Sequence, residues 1–184
     1  SLVAIYGVLE HFGIDKNIWV QDVQNRVFST LGQPNWLAAY LVALIPLTMG
    51  FAVQQLTINK LTVNENKTKN SIVSIFYSLL TLLLFTTLLF TKSRSGLLGF
   101  AVADVLFWLL IGIGVRGLAG GAKKNQGSAL PAQAGLRIGG LFHALFALVI
   151  LINGTGIPAI DRWVTFNGLQ TKTTSVTTKQ EETK

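Results

Sequence analysis

The sequence predicts an all-α fold: a bundle of transmembrane helices of a polytopic membrane protein, with an amphipathic segment at the outward interface. Half of the 184 residues are hydrophobic and only 12% are charged, which is about half the charged fraction of an ordinary soluble domain. Several apolar runs approach the length of about 20 residues that a helix needs to cross a bilayer. These runs lack the apolar–polar alternation of barrel strands. A helix also pairs every backbone N–H and C=O within one segment, as hydrocarbon requires.

Five apolar runs are the predicted spans. The first is too short to cross a bilayer alone. The chain opens inside it at Ser1 without a charged leader, so we expect the end of a span that begins upstream. Residues 1–160 are therefore expected to be part of the transmembrane domain of a longer protein, and the Thr-rich residues 161–184 to begin a truncated outward loop. The predicted spans are residues 1–12, 36–53, 72–90, 96–115 and 138–160.

The loops predict an orientation, because lysines and arginines favour the cytoplasmic side of membrane proteins. The loops after the second and fourth spans carry seven of them, and the loops after the first and third carry four. We therefore expect residues 13–35, 91–95 and 161–184 to face outward. The cytoplasmic set is Lys60, Lys67, Lys69, Arg116, Lys123, Lys124 and Arg137, and the outward set is Lys16, Arg26, Lys92 and Arg94.

The outward segment 13–35 is expected to form an amphipathic helix at the interface. Its Ile, Val and Leu residues recur at spacings of three and four and are mixed with charged residues. That pattern is typical of a helix that lies in the headgroup region. Trp19 and Trp36 suit the aromatic belt at such an interface.

Composition and motifs argue against several classes of function. The chain has no cysteine, which excludes disulfides and thiolate metal sites. It also has no metal-ligand cluster, P-loop or dinucleotide-binding glycine pattern, so we expect neither a metal nor another cofactor. The net charge of +7 does not predict a nucleic-acid partner, because no basic stripe is interleaved with exposed aromatic residues.

The first candidate site lies just before the second predicted span. Gly32 and Pro34 indicate a turn, and Asn35 is predicted to cap a helix that begins at Trp36. Arg26 would then lie above a helix N-terminus. A guanidinium, free N–H groups and the helix dipole all favour an anion there.

The second candidate site is the short turn Thr91–Gly96, which reads Thr-Lys-Ser-Arg-Ser-Gly between two long spans. Lys92 and Arg94 lie beside the hydroxyl of Ser93 near the start of a helix, a combination that suits a phosphate or pyrophosphate. The alternative is that the two cations extend to lipid headgroups.

Two polar residues lie within predicted spans. Asp104 is expected about 15 Å deep by helical rise, and His143 near the cytoplasmic end of the last span. Intramembrane carboxylates usually face a cavity or a partner, so Asp104 indicates either a bond between helices or a functional group. For His143 a satisfied packing histidine is favoured over a ligand, and either residue could line a proton or solute path.

Three stretches carry a resemblance to a known family. Residues 6–15 resemble the end of a span that often reads Gly-apolar-apolar-Gln-x-Phe-Gly, with Glu10 in place of Gln. Residues 26–41 resemble a block that ends in Asn-Pro-Asn before a span, with Gln33 in place of the first Asn. Residues 91–98 resemble a Thr-x-Ser-Arg-small block. In this order and spacing they are similar to the O-antigen ligase/polymerase superfamily of membrane proteins.

The resemblance covers roughly residues 6–115 and implies a polytopic enzyme of the plasma membrane. Such an enzyme binds a polyprenyl-pyrophosphate-linked glycan on its outward face. It transfers the glycan to lipid A core in ligases, to another repeat unit in polymerases, or to a protein in related oligosaccharyltransferases. Arg26 and Arg94 correspond to the family's arginines and would neutralise charge on the pyrophosphate leaving group. The resemblance implies no metal or nucleotide, and it puts the general base on a large outward loop, here expected beyond Lys184.

Two other hypotheses stay open. Some members of the superfamily carry a putative bicarbonate-transport label, and Asp104 is the residue that favours a membrane solute transporter. The third hypothesis is a non-catalytic membrane segment, and we do not expect a piece of such an enzyme to be active in isolation.

Overall fold

In the computed structural model every regular element of the described residues is helical, which confirms the all-α prediction. The structure describes residues 1–19, 22, 24–61, 67–121, 132–155 and 160–161. The elements are α1 (Leu2–His11), a short 3-10 helix (Ser29–Leu31), α2 (Pro34–Leu61), α3 (Lys67–Phe90), α4 (Arg94–Gly121) and α5 (Ala132–Asn153).

Three of these helices contain stretches long and apolar enough to cross a membrane: Pro34–Leu56, Ser71–Phe90 and Arg94–Ile113. Helix α1, with 10 residues, and the apolar part of α5, Arg137–Asn153, are shorter. A membrane-embedded bundle is therefore supported by three candidate spans within the described part of the chain.

The last predicted span ends earlier than expected. Helix α5 stops at Asn153 rather than at Ile160, because Gly154 follows it with a positive φ of 78°. The Gly154 N–H still bonds the carbonyl of Ile150 at 2.7 Å, and a glycine in the left-handed region is a common way to end a helix.

Helix α2 supplies the central stripe of the core. Its buried residues Leu37, Leu41, Ile45 and Met49 recur every fourth position, so they share one face of the helix. This face belongs to the same buried cluster as Leu84, Phe85 and Leu88 of α3. The outer faces carry exposed apolar side chains, such as Leu98 at 69% exposure, as expected of helices in contact with lipid.

Glycines allow two pairs of helices to approach closely. A Cβ at Gly7 would lie 2.9 Å from Cγ2 of Thr87, and a Cβ at Gly96 would lie 2.6 Å from Cβ of Ala38. Small residues at such contacts are typical of helices packed in membranes. Gly7 therefore fixes α1 against α3, and Gly96 fixes α4 against α2.

The predicted amphipathic helix over 13–35 is wrong for the described residues of that segment, which hold turns, one short 3-10 helix and the first two residues of α2. Helix α1 ends in a Schellman arrangement at Gly13, whose φ is 89°. The N–H of Gly13 bonds the carbonyl of Glu10 at 2.9 Å, and the N–H of Ile14 bonds that of Leu9 at 3.2 Å. These bonds satisfy the last carbonyls of α1 and turn the chain away from the helix axis.

Candidate functional site

The two predicted basic segments meet at one end of the bundle. The backbone N–H of Val27 bonds the carbonyl of Phe90 at 3.1 Å. Nε of Arg26 donates to the carbonyl of Thr91 at 3.4 Å, across 65 positions of sequence. Nζ of Lys92 donates to Oδ1 of Asn25 at 2.6 Å. We call residues 25–29 and 90–95, where these contacts lie, the basic junction.

A local turn delivers Arg26 to the junction. The N–H of Asn25 bonds Oδ1 of Asp22 at 3.2 Å, and the N–H of Arg26 bonds the Asp22 carbonyl at 3.2 Å. Short polar side chains such as aspartate stabilise turns in this way. Val27 and Phe28, which follow, are 0% and 2% exposed, so the arginine is anchored by apolar burial directly after it.

The carboxylate of Glu10 binds the loop that carries Arg26. Its Oε2 accepts the N–H of Phe28 at 3.1 Å and the N–H of Ser29 at 2.7 Å. Oγ of Ser29 donates to the carbonyl of Val3 at 2.7 Å. The Glu10 side chain is fully buried, and its Oε1 has no hydrogen-bond partner among the described residues. A buried carboxylate is costly unless it is bonded, so these two N–H groups are what stabilise it.

The role of Glu10 was missed at the level of sequence, where this residue was treated only as a departure from a family pattern. A signal was present, because Glu10 is the single acidic residue in the apolar helix α1. A carboxylate inside a membrane or at its surface usually pairs with another polar group. The sequence alone did not reveal that the partners are backbone groups of a loop 18 and 19 positions away.

Ser93 caps helix α4. Its Oγ accepts the N–H of Gly96 at 3.2 Å, its carbonyl accepts the N–H of Leu97 at 3.0 Å, and its own N–H bonds Oγ1 of Thr91 at 3.2 Å. This is the geometry of a serine N-cap. Ser93 is 1% exposed, so its hydroxyl, predicted to bind pyrophosphate, is occupied by the start of the helix.

Helix α2 begins two residues earlier than predicted. It starts at Pro34 rather than Trp36, and the carbonyl of Gln33 accepts the N–H of Leu37 at 3.1 Å. Pro34 thus occupies the first helical position, where the fixed φ of proline is favourable. The predicted cap by Asn35 is therefore wrong.

The side chain of Asn35 instead joins two helix starts. Its Oδ1 accepts a hydrogen bond from Oγ of Ser93 at 2.9 Å, so it ties the first turn of α2 to the first turn of α4. The turn predicted around Gly32 is confirmed by a φ of 72°. The bond between Asn35 and Ser93 thus connects the two candidate sites that the sequence predicts.

Three cations line the exposed side of the basic junction. Arg26, Lys92 and Arg94 are all exposed. Among the described residues, none of the three forms an ion pair with a carboxylate. Arg94 opens helix α4, where free N–H groups and the helix dipole favour an anion. The junction therefore presents positive charge that the described part of the chain does not neutralise.

The two intramembrane polar residues are also brought together. Oδ2 of Asp104 lies 2.8 Å from Nε2 of His143, and Oδ1 of Asp104 accepts the indole N–H of Trp108 at 3.1 Å. His143 was expected near the cytoplasmic end of its span. The apolar stretch of α5 is Arg137–Asn153, so His143 lies nearer to its Arg137 end, and the side of the membrane that this end faces stays a prediction.

Within the described ranges, no group of three or more His, Cys, Asp or Glu side chains is placed to hold a metal ion. Comparisons of the chain with family models, with curated proteins and with solved structures give no match. The resemblance to the O-antigen ligase/polymerase superfamily therefore rests on the residues of the three stretches alone and stays a prediction.

Proposed function

We propose that this chain is the membrane-embedded part of a glycan transferase of the O-antigen ligase/polymerase type. The basic junction binds the diphosphate of a polyprenyl-pyrophosphate-linked glycan at the outward, periplasmic face of the plasma membrane. The glycan then passes to an acceptor, which is another glycan, a lipid or a protein. No metal or other cofactor takes part in this proposal.

The observation that carries the proposal is the 3.4 Å hydrogen bond from Arg26 Nε to the carbonyl of Thr91. It draws a guanidinium from the loop before α2 to the turn that ends in Arg94. Only Nε of Arg26 is used in this bond, so both terminal nitrogens remain available. Guanidinium groups bind phosphate oxygens in a bidentate manner, and a diphosphate offers enough oxygens for two of them.

The proposed chemistry follows from where charge develops. The acceptor hydroxyl attacks the anomeric carbon of the donor sugar, and the bond from that carbon to the diphosphate oxygen breaks. Negative charge then grows on the departing diphosphate, where Arg26, Lys92 and Arg94 stabilise it. A general base takes the proton of the hydroxyl. Ser93 and Asn35 act indirectly, because they set the position at which α4 begins.

Substitution of Arg94 tests the proposal. The chain is reconstituted in nanodiscs and titrated with a polyprenyl diphosphate. Arg94→Lys keeps the charge but loses the planar fork, so binding should weaken by about tenfold or more, since a charge-assisted bond contributes roughly 1.5–3 kcal/mol. The Arg26→Ala/Arg94→Ala double variant should lose binding, and in membranes that carry out glycan transfer it should lose transfer.

Lys16→Ala is the matched control, because Lys16 is an exposed cation in the turns that follow α1, outside the junction. It should bind like the unmodified chain. If the double variant binds and transfers as well as Lys16→Ala, the junction is not the donor site and the proposal fails.

A solute transporter is the second candidate, and the 2.8 Å contact between Asp104 and His143 is the observation that favours it. Polar pairs at this depth commonly line ion or solute paths. The two candidates separate cleanly in liposomes. A transporter should lose bicarbonate flux in Asp104→Asn and keep it in Arg94→Lys, whereas a transferase should lose diphosphate binding in Arg94→Lys and keep it in Asp104→Asn.

A further inference from the structure

Hydrogen bonds orient His143 and three groups around it. Nδ1 of His143 lies 2.8 Å from the carbonyl of Gly139, and Nε2 lies 2.8 Å from Oδ2 of Asp104. The indole nitrogen of Trp108 donates to Oδ1 of Asp104 at 3.1 Å. Both ring nitrogens of the histidine and both oxygens of the carboxylate are thus engaged.

The groups that bond Nδ1 of His143 and Oδ1 of Asp104 determine where the hydrogens of these two contacts lie. A carbonyl oxygen only accepts, so Nδ1 of His143 carries a hydrogen. An indole N–H only donates, so Oδ1 of Asp104 is an acceptor. One contact is then left, between Oδ2 and Nε2, and it requires one proton. On Nε2 that proton gives an imidazolium facing a carboxylate, and on Oδ2 it gives a neutral acid facing a neutral ring.

We propose that Asp104 and His143 form a single proton-binding site inside the bundle, with the mobile proton held between Oδ2 and Nε2. Both positions of the proton give the pair zero net charge. An environment of low polarity, such as that between two helices in hydrocarbon, strongly disfavours an unpaired charge. The site therefore holds one proton stably, and it does so whichever function the basic junction has.

The packing of α4 against α5 supports a dedicated site. A Cβ at position 139 would lie 3.1 Å from the ring of Trp108, so glycine makes room for the indole that orients the carboxylate. The side chain of Asp104 is 10% exposed and that of His143 is 53% exposed. The carboxylate is therefore enclosed, whereas the imidazole is the more exposed member of the pair.

No other titratable group competes for this proton in the described part of the bundle. On the apolar stretches of the four long helices the remaining titratable side chains are Tyr40 of α2, Tyr77 of α3, Arg94 of α4 and Arg137 of α5. The hydrogen bonds of the pair go to Trp108 and Gly139 and to none of these four.

Occupancy of the site is coupled to the contact between α4 and α5. Loss of the proton leaves a carboxylate facing the lone pair of Nε2. A second proton leaves an O–H facing an N–H. Each change removes the 2.8 Å hydrogen bond that joins the two helices, so proton uptake or release would separate Asp104 from His143.

Nitrogen NMR of the histidine ring tests the proposal. The chain holds two histidines, and His11→Gln leaves His143 as the single signal in protein labelled with ¹⁵N-histidine and reconstituted in nanodiscs. We expect Nδ1 to be protonated at neutral pH. In Asp104→Asn the Nε2 resonance should be that of a ring nitrogen that only accepts, because an asparagine N–H then faces it.

Asp22→Asn is the matched control, because Asp22 is an exposed carboxylate outside the bundle, and it should leave both resonances unchanged. A bare Nδ1 with a proton on Nε2 would overturn the proposal, and so would an Asp104→Asn variant in which both ring nitrogens of His143 still carry protons. The measurement of Nδ1 needs no change at Asp104, so a bare Nδ1 would overturn the proposal even if Asp104→Asn does not fold.

Discussion

The loop that carries Arg26 should open when Glu10 is replaced by leucine. Leucine is similar in size to glutamate but accepts no hydrogen bond, so Glu10→Leu removes both bonds from the N–H groups of Phe28 and Ser29. Hydrogen bonds to a charged group contribute roughly 1.5–3 kcal/mol each. Because the two bonds share one oxygen atom, we take the lower value for each. The expected loss is then roughly 3 kcal/mol in the free energy of local opening.

Amide hydrogen exchange measures this loss directly, since exchange reports the free energy of local opening. Roughly 3 kcal/mol corresponds to exchange about a hundredfold faster at Phe28 and Ser29. Glu10→Gln keeps an acceptor oxygen without the charge. A neutral hydrogen bond contributes about half as much as a charged one, so the increase should be about tenfold.

The N–H of Gly96, which bonds Ser93, is the internal control and should exchange at an unchanged rate in both variants. Leu9→Ala is a second control, because Leu9 is on the same helix and 40% exposed. If Glu10→Leu leaves the amides of Phe28 and Ser29 as protected as Leu9→Ala does, the carboxylate does not hold the loop and the reasoning is refuted.

Three further outcomes are expected. Gly96→Ala should lower the free energy of unfolding in mixed detergent by about 2 kcal/mol through overpacking. Gly112→Ala, with open space around the new Cβ, should not; equal effects would contradict the close contact at Gly96. Ser93→Ala should cost about 1 kcal/mol as a lost helix cap, and an unchanged unfolding midpoint would exclude that role. In this cysteine-free chain, Ser95→Cys should react with an impermeant maleimide from outside intact cells and Gln54→Cys only after permeabilisation; the reverse pattern would invert the proposed orientation.

The long helices could be predicted from sequence because a single physical requirement, apolar length, determines them. The contact between the two basic segments could also be expected in outline. Two predicted spans separate Arg26 from Thr91, and a chain that crosses twice returns to the side from which it started. The structure adds which atoms meet there, since the Arg26 guanidinium contacts a carbonyl of the turn rather than another side chain.

Each feature that the sequence did not predict depends either on a contact between residues distant in sequence or on a single residue that ends a helix. Periodic Ile and Val residues predicted a helix after residue 13, but Gly13 in the left-handed region ends α1. The pairing of Asp104 with His143 depends on how α4 and α5 are aligned lengthwise. Apolar composition sets the length of a span but not its register against a neighbour, so this pair could not be deduced from either span alone.

Backbone conformation gives an independent reason to treat the basic junction as more than a connection between helices. Among the described residues the non-glycine positions with positive φ are Ser29 at 52° and Lys92 at 48°, and both belong to the junction. A side chain in that region costs on the order of 1 kcal/mol, and glycine would remove the cost. The backbone N–H of Ser29 is bonded by the Glu10 carboxylate, and that of Lys92 bonds the carbonyl of Leu89 at 3.0 Å. Strain of this kind persists where the surroundings determine it and is concentrated at binding sites. A loop that only joined two helices would not need a buried carboxylate to hold a strained serine beside three exposed cations.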